Sequence, residues 1–309
     1  GERRDMAAEA TRTTMTVIAL ALFGGDPRLV SQASMDQITA AIEGFSEARL
    51  LAMLRLPAIP VTRKGRAGQR GRIHLRRTLE EVVEDRWSGR MGGDFLSGMI
   101  EALCARYPAE AAKALAVDNA ATFYLAGHET TANALTWTLY LLAAQPELQE
   151  ELAEEAKAAL DGGDEDVAER APRLRLFLME SLRLYPPVPR FDRQAVAADR
   201  LGEWPVNPGD IISIWPWLLH RHRTLWDDPD AFQPDRFAAK GGRHRFQYLP
   251  FGAGPRTCVG AQFATSEALT ILIHWLGAWR FVDAGQDVRP AGMVTLRPAG
   301  GLSLRLKRR

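Results

Sequence analysis

The chain has 309 residues, 46% of them hydrophobic and 25% charged, with 39 Lys and Arg against 38 Asp and Glu. That composition excludes disorder, collagen and low-complexity protein, and a net charge of +1 gives no overall field for nucleic acid or an anionic membrane. Two cysteines exclude a disulfide scaffold and favour a reducing, cytoplasmic setting. No apolar run reaches the ~18–20 residues of a bilayer span. The longest, Ala132 to Ala144, is interrupted by Asn133, Thr136 and Thr138, so a soluble protein is expected. The polar start Gly1-Glu2-Arg3-Arg4-Asp5 has no initiator Met and no signal-peptide pattern, so the chain is expected to begin inside a longer parent.

Helical periodicity dominates the first two thirds. Ala7 to Leu22 is a helix stopped by Gly24-Gly25-Asp26-Pro27, and Met35 to Leu54 is a second, closed by Pro57 and Pro60. Arg63 to Arg77 is strongly basic, with Gly65, Gly68 and Gly71 interspersed. It reads as a solvated loop running into a helix, and it lacks the aromatics a nucleic-acid patch would interleave. Leu75 to Trp87 and Phe95 to Ala105 return to helical spacing, and Cys104 reads as an inert buried thiol on the second. Ala111 to Gln145 is a long helix, apolar on nearly all sides, suited to the centre of a domain. Its polar waist, Ala126-Gly127-His128-Glu129-Thr130-Thr131, costs stability unless it performs a task.

Glu147 to Leu160 is a charged surface helix, Asp161 to Glu169 an acidic loop, and Leu174 to Leu184 a helix ended by Pro186-Pro187. The texture then changes. Trp204 to Asp210 is turn chemistry and Ile211 to Trp215 a strand, while Asp227 to Phe237 is irregular. Phe246 to Gly260 is a Gly/Pro-rich loop before a helix over Ala261 to Leu276. Val294 to Arg297 and Leu302 to Leu306 flank Pro298-Ala299-Gly300-Gly301 as an expected hairpin. No linker divides the chain, so one domain over 1–309 is expected.

Chemistry gathers at two places. Cys258 lies just before a helix, where the dipole and free N–H groups favour its thiolate form. Glycines around it let the backbone approach a flat ligand, and Arg256 adds a cation suited to a carboxylate. Glu180 and Arg183 share one face of an apolar helix. A buried pair there needs further partners, and Arg236 is a candidate.

Three separated motifs together resemble cytochrome P-450, the haem-thiolate monooxygenase family. Phe251-x-x-Gly254-x-Arg256-x-Cys258-x-Gly260 resembles its haem-binding signature at every fixed position; Glu180-x-x-Arg183 with Arg236 resembles its core ion pair and third member; Ala126-Gly127-His128-Glu129-Thr130-Thr131 resembles its oxygen-activation motif. The resemblance implies a mainly α fold with small β-sheets, and a haem b ligated axially by the Cys258 thiolate. It implies that Pro250, Phe251, Gly252, Val259, Gly260 and Ala264 line the thiolate side, with Arg193 and Arg256 holding the propionates. Ala126 and Gly127 would lie against the distal face, Glu129 and Thr130 would deliver protons for oxygen activation, and Val188 would face an apolar substrate. His128 lacks the second His of a metalloprotease helix and reads as a helix-surface residue.

The implied reaction is insertion of one oxygen atom into a small apolar substrate. Electrons would come from NAD(P)H through a ferredoxin or flavoprotein on the proximal face, where Arg243, His244, Arg245 and Arg256 either meet an acidic partner or are simply solvated. Relative to the family the chain lacks the N-terminal sheet, the mobile substrate loop and a propionate-holding helix, so the fold is expected to be N-terminally incomplete. Two other readings stand beside it: a haem-thiolate peroxygenase or isomerase needing no electron partner, and a truncated non-catalytic haem-binding remnant.

Overall fold

A computed structural model describes residues 1–53, 57, 59–89, 93–163, 165–239, 241, 244–292 and 294–309; at 43, 45–50 and 52–53 only the backbone is described. The chain opens with strand β1 (Glu2–Asp5) and continues through α1 (Met6–Phe23), the single turn α2 (Pro27–Val30), α3 (Gln32–Met53), α4 (Arg63–Trp87), α5 (Phe95–Cys104) and α6 (Ala109–Ala143). Next come α7 (Pro146–Asp161), α8 (Pro172–Leu184), β2 (Phe191–Gln194), β3 (Asp199–Leu201), β4 (Trp204–Val206), β5 (Ile211–Ile214) and the short α9 (Pro216–Leu219). The last elements are α10 (Ala261–Ala278), β6 (Trp279–Asp283), β7 (Pro290–Gly292), β8 (Leu296–Pro298) and β9 (Ser303–Arg308). They form two compact units: Glu9–Ala132, which is helical, and a mixed unit of Gly1–Ala8 with Asn133–Arg309.

In the helical unit, α1 stops where Gly24 and Gly25 take positive φ, and Asp26 caps the turn that follows. The core joins Met15, Ile18, Phe23, Leu29, Ile38, Leu79 and Tyr124. The basic segment departs from expectation, because residues 63–77 belong to α4 from its first residue. Thr62 caps that helix, its Oγ1 accepting the Gly65 N–H at 2.9 Å. Gly65, Gly68 and Gly71 lie three apart on its buried face. A Cβ on Gly68 would lie 2.6 Å from Gly44 Cα of α3, and one on Gly71 would lie 2.1 Å from the Gln37 carbonyl oxygen. These glycines permit contact between helix backbones, which offsets their poor helix propensity of ~1 kcal/mol each. Gly71→Ala is therefore expected to lower stability by about 1–3 kcal/mol despite alanine's better propensity. An unchanged or raised melting temperature would contradict the packing account.

Two further expectations fail in this unit. Cys104 is exposed: α5 buries Leu96, Ser97 and Ile100 and ends at Cys104, beyond that contact. The first part of α6 is not apolar all round either. It buries a stripe of Ala116, Ala120, Tyr124 and His128 and exposes Thr122 and Ala126. Continuous burial begins only at Thr131 and runs through Leu139.

In the mixed unit, β9 lies between β1 and β6 in an antiparallel sheet, and β2–β5, β3–β4 and β7–β8 form two-stranded ribbons. The expected hairpin across residues 298–301 does not form. Gly300 and Gly301, both at positive φ, carry the chain from β8 to β9, which then pairs with distant strands and buries Leu304 beside Phe281. The stretch after Leu201 is also more than a turn. Gly202 at φ 58° closes a hairpin that pairs Leu201 with Trp204, a strand too short to show a period of two.

Candidate functional site

The cysteine loop is built from its glycines outward. Gly252 and Gly254 take φ of 71° and 76°, which favours glycine. The Cys258 N–H donates to the Phe251 carbonyl at 2.9 Å, closing the loop, and α10 starts behind Gly260. Cys258 and Arg256 are exposed, and Pro250, Phe251, Gly252, Gly260 and Ala264 are half-buried. Val259 is 86% exposed. A Cβ on Gly252, Gly254 or Gly260 would meet nothing within 4 Å. The loop therefore presents a thiol, an apolar rim and a cation to open space.

Behind it, in the same unit, Glu180 and Arg183 are both 0% exposed. Arg183 Nε and Nη2 donate to the two Glu180 oxygens at 2.7 and 2.8 Å. Its remaining N–H groups reach the carbonyls of His220, Pro229 and Ala231 at 2.7–2.9 Å, so all five donors are used. Glu180 Oε1 also accepts from Gln233 N at 2.8 Å and from Arg236 Nε at 3.0 Å. Asp228, at φ 43°, helps turn this irregular segment so that its carbonyls face the two arginines. The structure thus brings Glu180, Arg183 and Arg236 together in a satisfied buried network.

His220 escaped the sequence reading. Its Nδ1 donates to the Arg183 carbonyl at 3.1 Å and its Nε2 accepts the Leu249 N–H at 2.8 Å, joining the ion network to the start of the cysteine loop. Burial holds His220 down to about 4, helped by the neighbouring cations Arg183 and Arg221. In the helical unit, burial likewise takes His128 to about 4. The unfolded chain takes up these protons near pH 6.5, whereas the folded protein refuses them until about pH 4. Their contribution is complete above pH 6.5 and is lost as pH falls, about 2 kcal/mol per histidine at pH 5. Asp26, held low by the hydrogen bonds it accepts from Arg28, loses its own contribution mainly at lower pH. Thermal unfolding at pH 5 should therefore come several degrees below that at pH 7, and a flat profile would contradict the burial of these two rings.

His128 is a correction: it is 1% exposed, with Nδ1 donating to the Tyr124 carbonyl at 2.6 Å. Helical spacing places it one turn beyond Tyr124 on the core face. Gly127 is explained by packing, since a Cβ there would lie 2.6 Å from Ile18 Cδ1 of α1. Ala126 is exposed, Glu129 and Thr130 are half-buried, and Thr130 Oγ1 donates to the Ala126 carbonyl at 2.8 Å. In the mixed unit, Val188 is half-buried, and Arg193 lies on β2 against the Phe191 ring, donating to the Asp192 carbonyl. His244 and Arg245 are exposed; Arg243 lies outside the described residues.

The donor set of the cysteine loop fits a haem: a sulfur ligand, a glycine cradle a Cβ would fill, apolar surface for a macrocycle, and a cation for a carboxylate. Among the described residues no His, Cys, Asp or Glu cluster could hold a bare metal ion, and no helix is long and apolar enough to cross a membrane. The family model for Cytochrome P450 matches residues 1–302. Cytochrome P450 4V2 of Mus musculus is 36% identical over 197 residues, covering 61% of this chain and 37% of that protein. Cytochrome P450 714C3 of Oryza sativa subsp. japonica is 37% identical over 196 residues, 61% of this chain and 38% of that protein. Protein LUTEIN DEFICIENT 5, chloroplastic, of Arabidopsis thaliana is 36% identical over 204 residues, 62% and 34% respectively. The chain spans well under half the length of these curated relatives. With the mainly helical fold, its small antiparallel sheets and the match over nearly its whole length, the chain belongs to the cytochrome P450 family.

Proposed function

We propose that the chain, acting as a single haem-thiolate domain over 1–309, is a monooxygenase inserting one oxygen atom into a small apolar substrate. The observation that carries this reading is the exposed Cys258 thiol, held by a glycine loop directly ahead of α10. Bound there, haem b would supply dioxygen binding and O–O cleavage, favoured by a thiolate ligand. Cys258 provides that sulfur, and Pro250, Phe251, Gly252, Val259, Gly260 and Ala264 shape the surface around it. Arg193 and Arg256 pair with the cofactor's carboxylates. The Glu180 network fixes the irregular segment, and His220 links that network to the loop. Val188 offers apolar surface to the substrate, and Ala126 lies against the distal face of the haem. Electrons come from NAD(P)H through a ferredoxin or flavoprotein docking on the exposed basic residues His244, Arg245 and Arg256. A cytoplasmic setting accords with two unpaired cysteines.

Thr130 and Glu129 hold and pass protons at the hydroxyl and carboxylate of the helix waist. A positioned proton donor of this kind contributes ~10²–10⁴-fold. Thr130→Ala is expected to keep its haem but to yield less product and more hydrogen peroxide per NADPH consumed. A product-to-NADPH ratio equal to wild type would remove Thr130 from this role. Turnover supported by peroxide but by no redox partner would favour a peroxygenase instead.

A further inference from the structure

The three-stranded sheet of the mixed unit has one buried face and one open face. Side chains alternate along β9, so Arg305 and Lys307 share a face, while Leu304 lies on the other and is buried with Phe281. The register places Arg3 of β1 directly opposite Arg305, and Arg280 of β6 directly opposite Lys307. Four exposed cations therefore form a flat two-by-two array on the open face. Like charges directly opposite one another on neighbouring strands are destabilising. Every residue of β1, β6 and β9 is described, and neither Arg305 nor Lys307 forms an ion pair with a described carboxylate. Arg3 donates to the Ser303 hydroxyl at 3.0 Å, a neutral acceptor. Asp5, at the end of the same face, already accepts the N–H groups of Ala7 and Ala8 that open α1.

Helix α7, described throughout, has the opposite character. It carries five Glu and Asp161 against one Lys. Glu147, Glu151 and Glu154 are exposed along one side of it, at spacings of four and three. Glu151 pairs with Arg173, and Glu154 with Lys157 at 2.8 Å, whereas Glu147 has no cation partner among the described residues. Like charges four apart on a helix, as at Glu147 and Glu151, repel each other.

The two surfaces adjoin in one compact unit. Glu150 of α7 marks the seam, meeting Arg280 Nε at 3.2 Å and pairing with Arg309. Gln149 fixes the join. Its side-chain amide donates to the Phe281 carbonyl at 3.0 Å and accepts the Phe281 N–H at 2.8 Å, covering the outer edge of β6. A neighbour therefore meets the charged surfaces there rather than a free strand edge. Adjacent patches of opposite sign make a surface complementary to itself. Half a turn about an axis through the seam lays the sheet of each copy on α7 of the other. No aromatic side chain stands on the cationic face to stack a nucleic-acid base. The overall charge of +1 leaves little net repulsion between copies. We propose that the open face of the β1–β9–β6 sheet and helix α7 together form an isologous dimer interface with a second copy of this chain.

The test is sedimentation equilibrium of the full chain. A dimer is expected at low salt and a monomer at about 1 M salt, where the screening length falls to about 3 Å. R305E/K307E and E147R/E154R should each raise the dissociation constant on the order of 100-fold or more. The first should fold as stably as wild type, because each reversal turns a like-charged cross-strand pair into an opposite one. Circular dichroism melts check both, and E154R alone takes the place of the second if that variant melts early. Mixed in equal amounts, the two variants should restore the dimer, since both contacts of the mixed pair again join opposite charges. A wild type that stays monomeric at low salt, a dimer unchanged by either reversal, or assembly beyond two copies would overturn the proposal. So would a mixture that stays monomeric, which would assign the sheet face to some other acidic partner.

Discussion

Glu180→Ala is expected to cost about 3–5 kcal/mol and to appear as insoluble or cofactor-free protein. The reason lies in what remains after truncation. Arg183 stays 0% exposed with two N–H groups unpaired and its charge uncompensated. Gln233 N and Arg236 Nε lose their acceptor in the same step. Glu80 provides the contrast: its pair with Arg76, at 3.0 Å, is as short as that of Arg236 with Glu180, but the side chains are 60% and 52% exposed. Glu80→Ala should therefore cost no more than ~1 kcal/mol. Glu180→Gln, which keeps one acceptor oxygen but no charge, should fall between the two. Melting curves of the three variants check the order, and a soluble Glu180→Ala protein melting like wild type would contradict the account.

Cys258→Ala is expected to separate function from stability. The side chain is exposed and the loop is closed by the backbone bond from Cys258 N to Phe251, so the fold should change by less than about 0.5 kcal/mol. Monooxygenase turnover should nevertheless disappear, because no other thiol stands on this loop; Cys104 ends α5. Retained NADPH-dependent turnover in the variant would show that the sulfur is dispensable. A large loss of helix content would show that it has a structural role.

What was legible in the sequence follows from the range of each interaction. The amphipathic helices and the cysteine loop are local patterns, and the structure places them within a few residues of the expected bounds. The first half of α4 was not legible, because Gly65, Gly68 and Gly71 read as breakers unless α3 is known to lie against that face, with Gly44 at Gly68 and Gln37 at Gly71. The strands after residue 294 were misjudged because β9 pairs with β1, hundreds of residues away, and not with its sequence neighbour β8. His128 follows the helical stripe through Ala120 and Tyr124, a signal that was present but outweighed by the polarity of its neighbours. His220 carried no such signal: it lies just past the short α9, and its two ring bonds reach Arg183 and Leu249 only once the chain has folded.

Whether Cys258 holds a haem iron through its thiolate is read from the carbon-monoxide difference spectrum of the reduced, haem-loaded chain beside Cys258→Ala. A strongly red-shifted Soret band is expected in wild type and its absence in the variant, with helix content unchanged between them. The same red-shifted band in both proteins, or a haem-loaded wild type without it, would contradict the assignment.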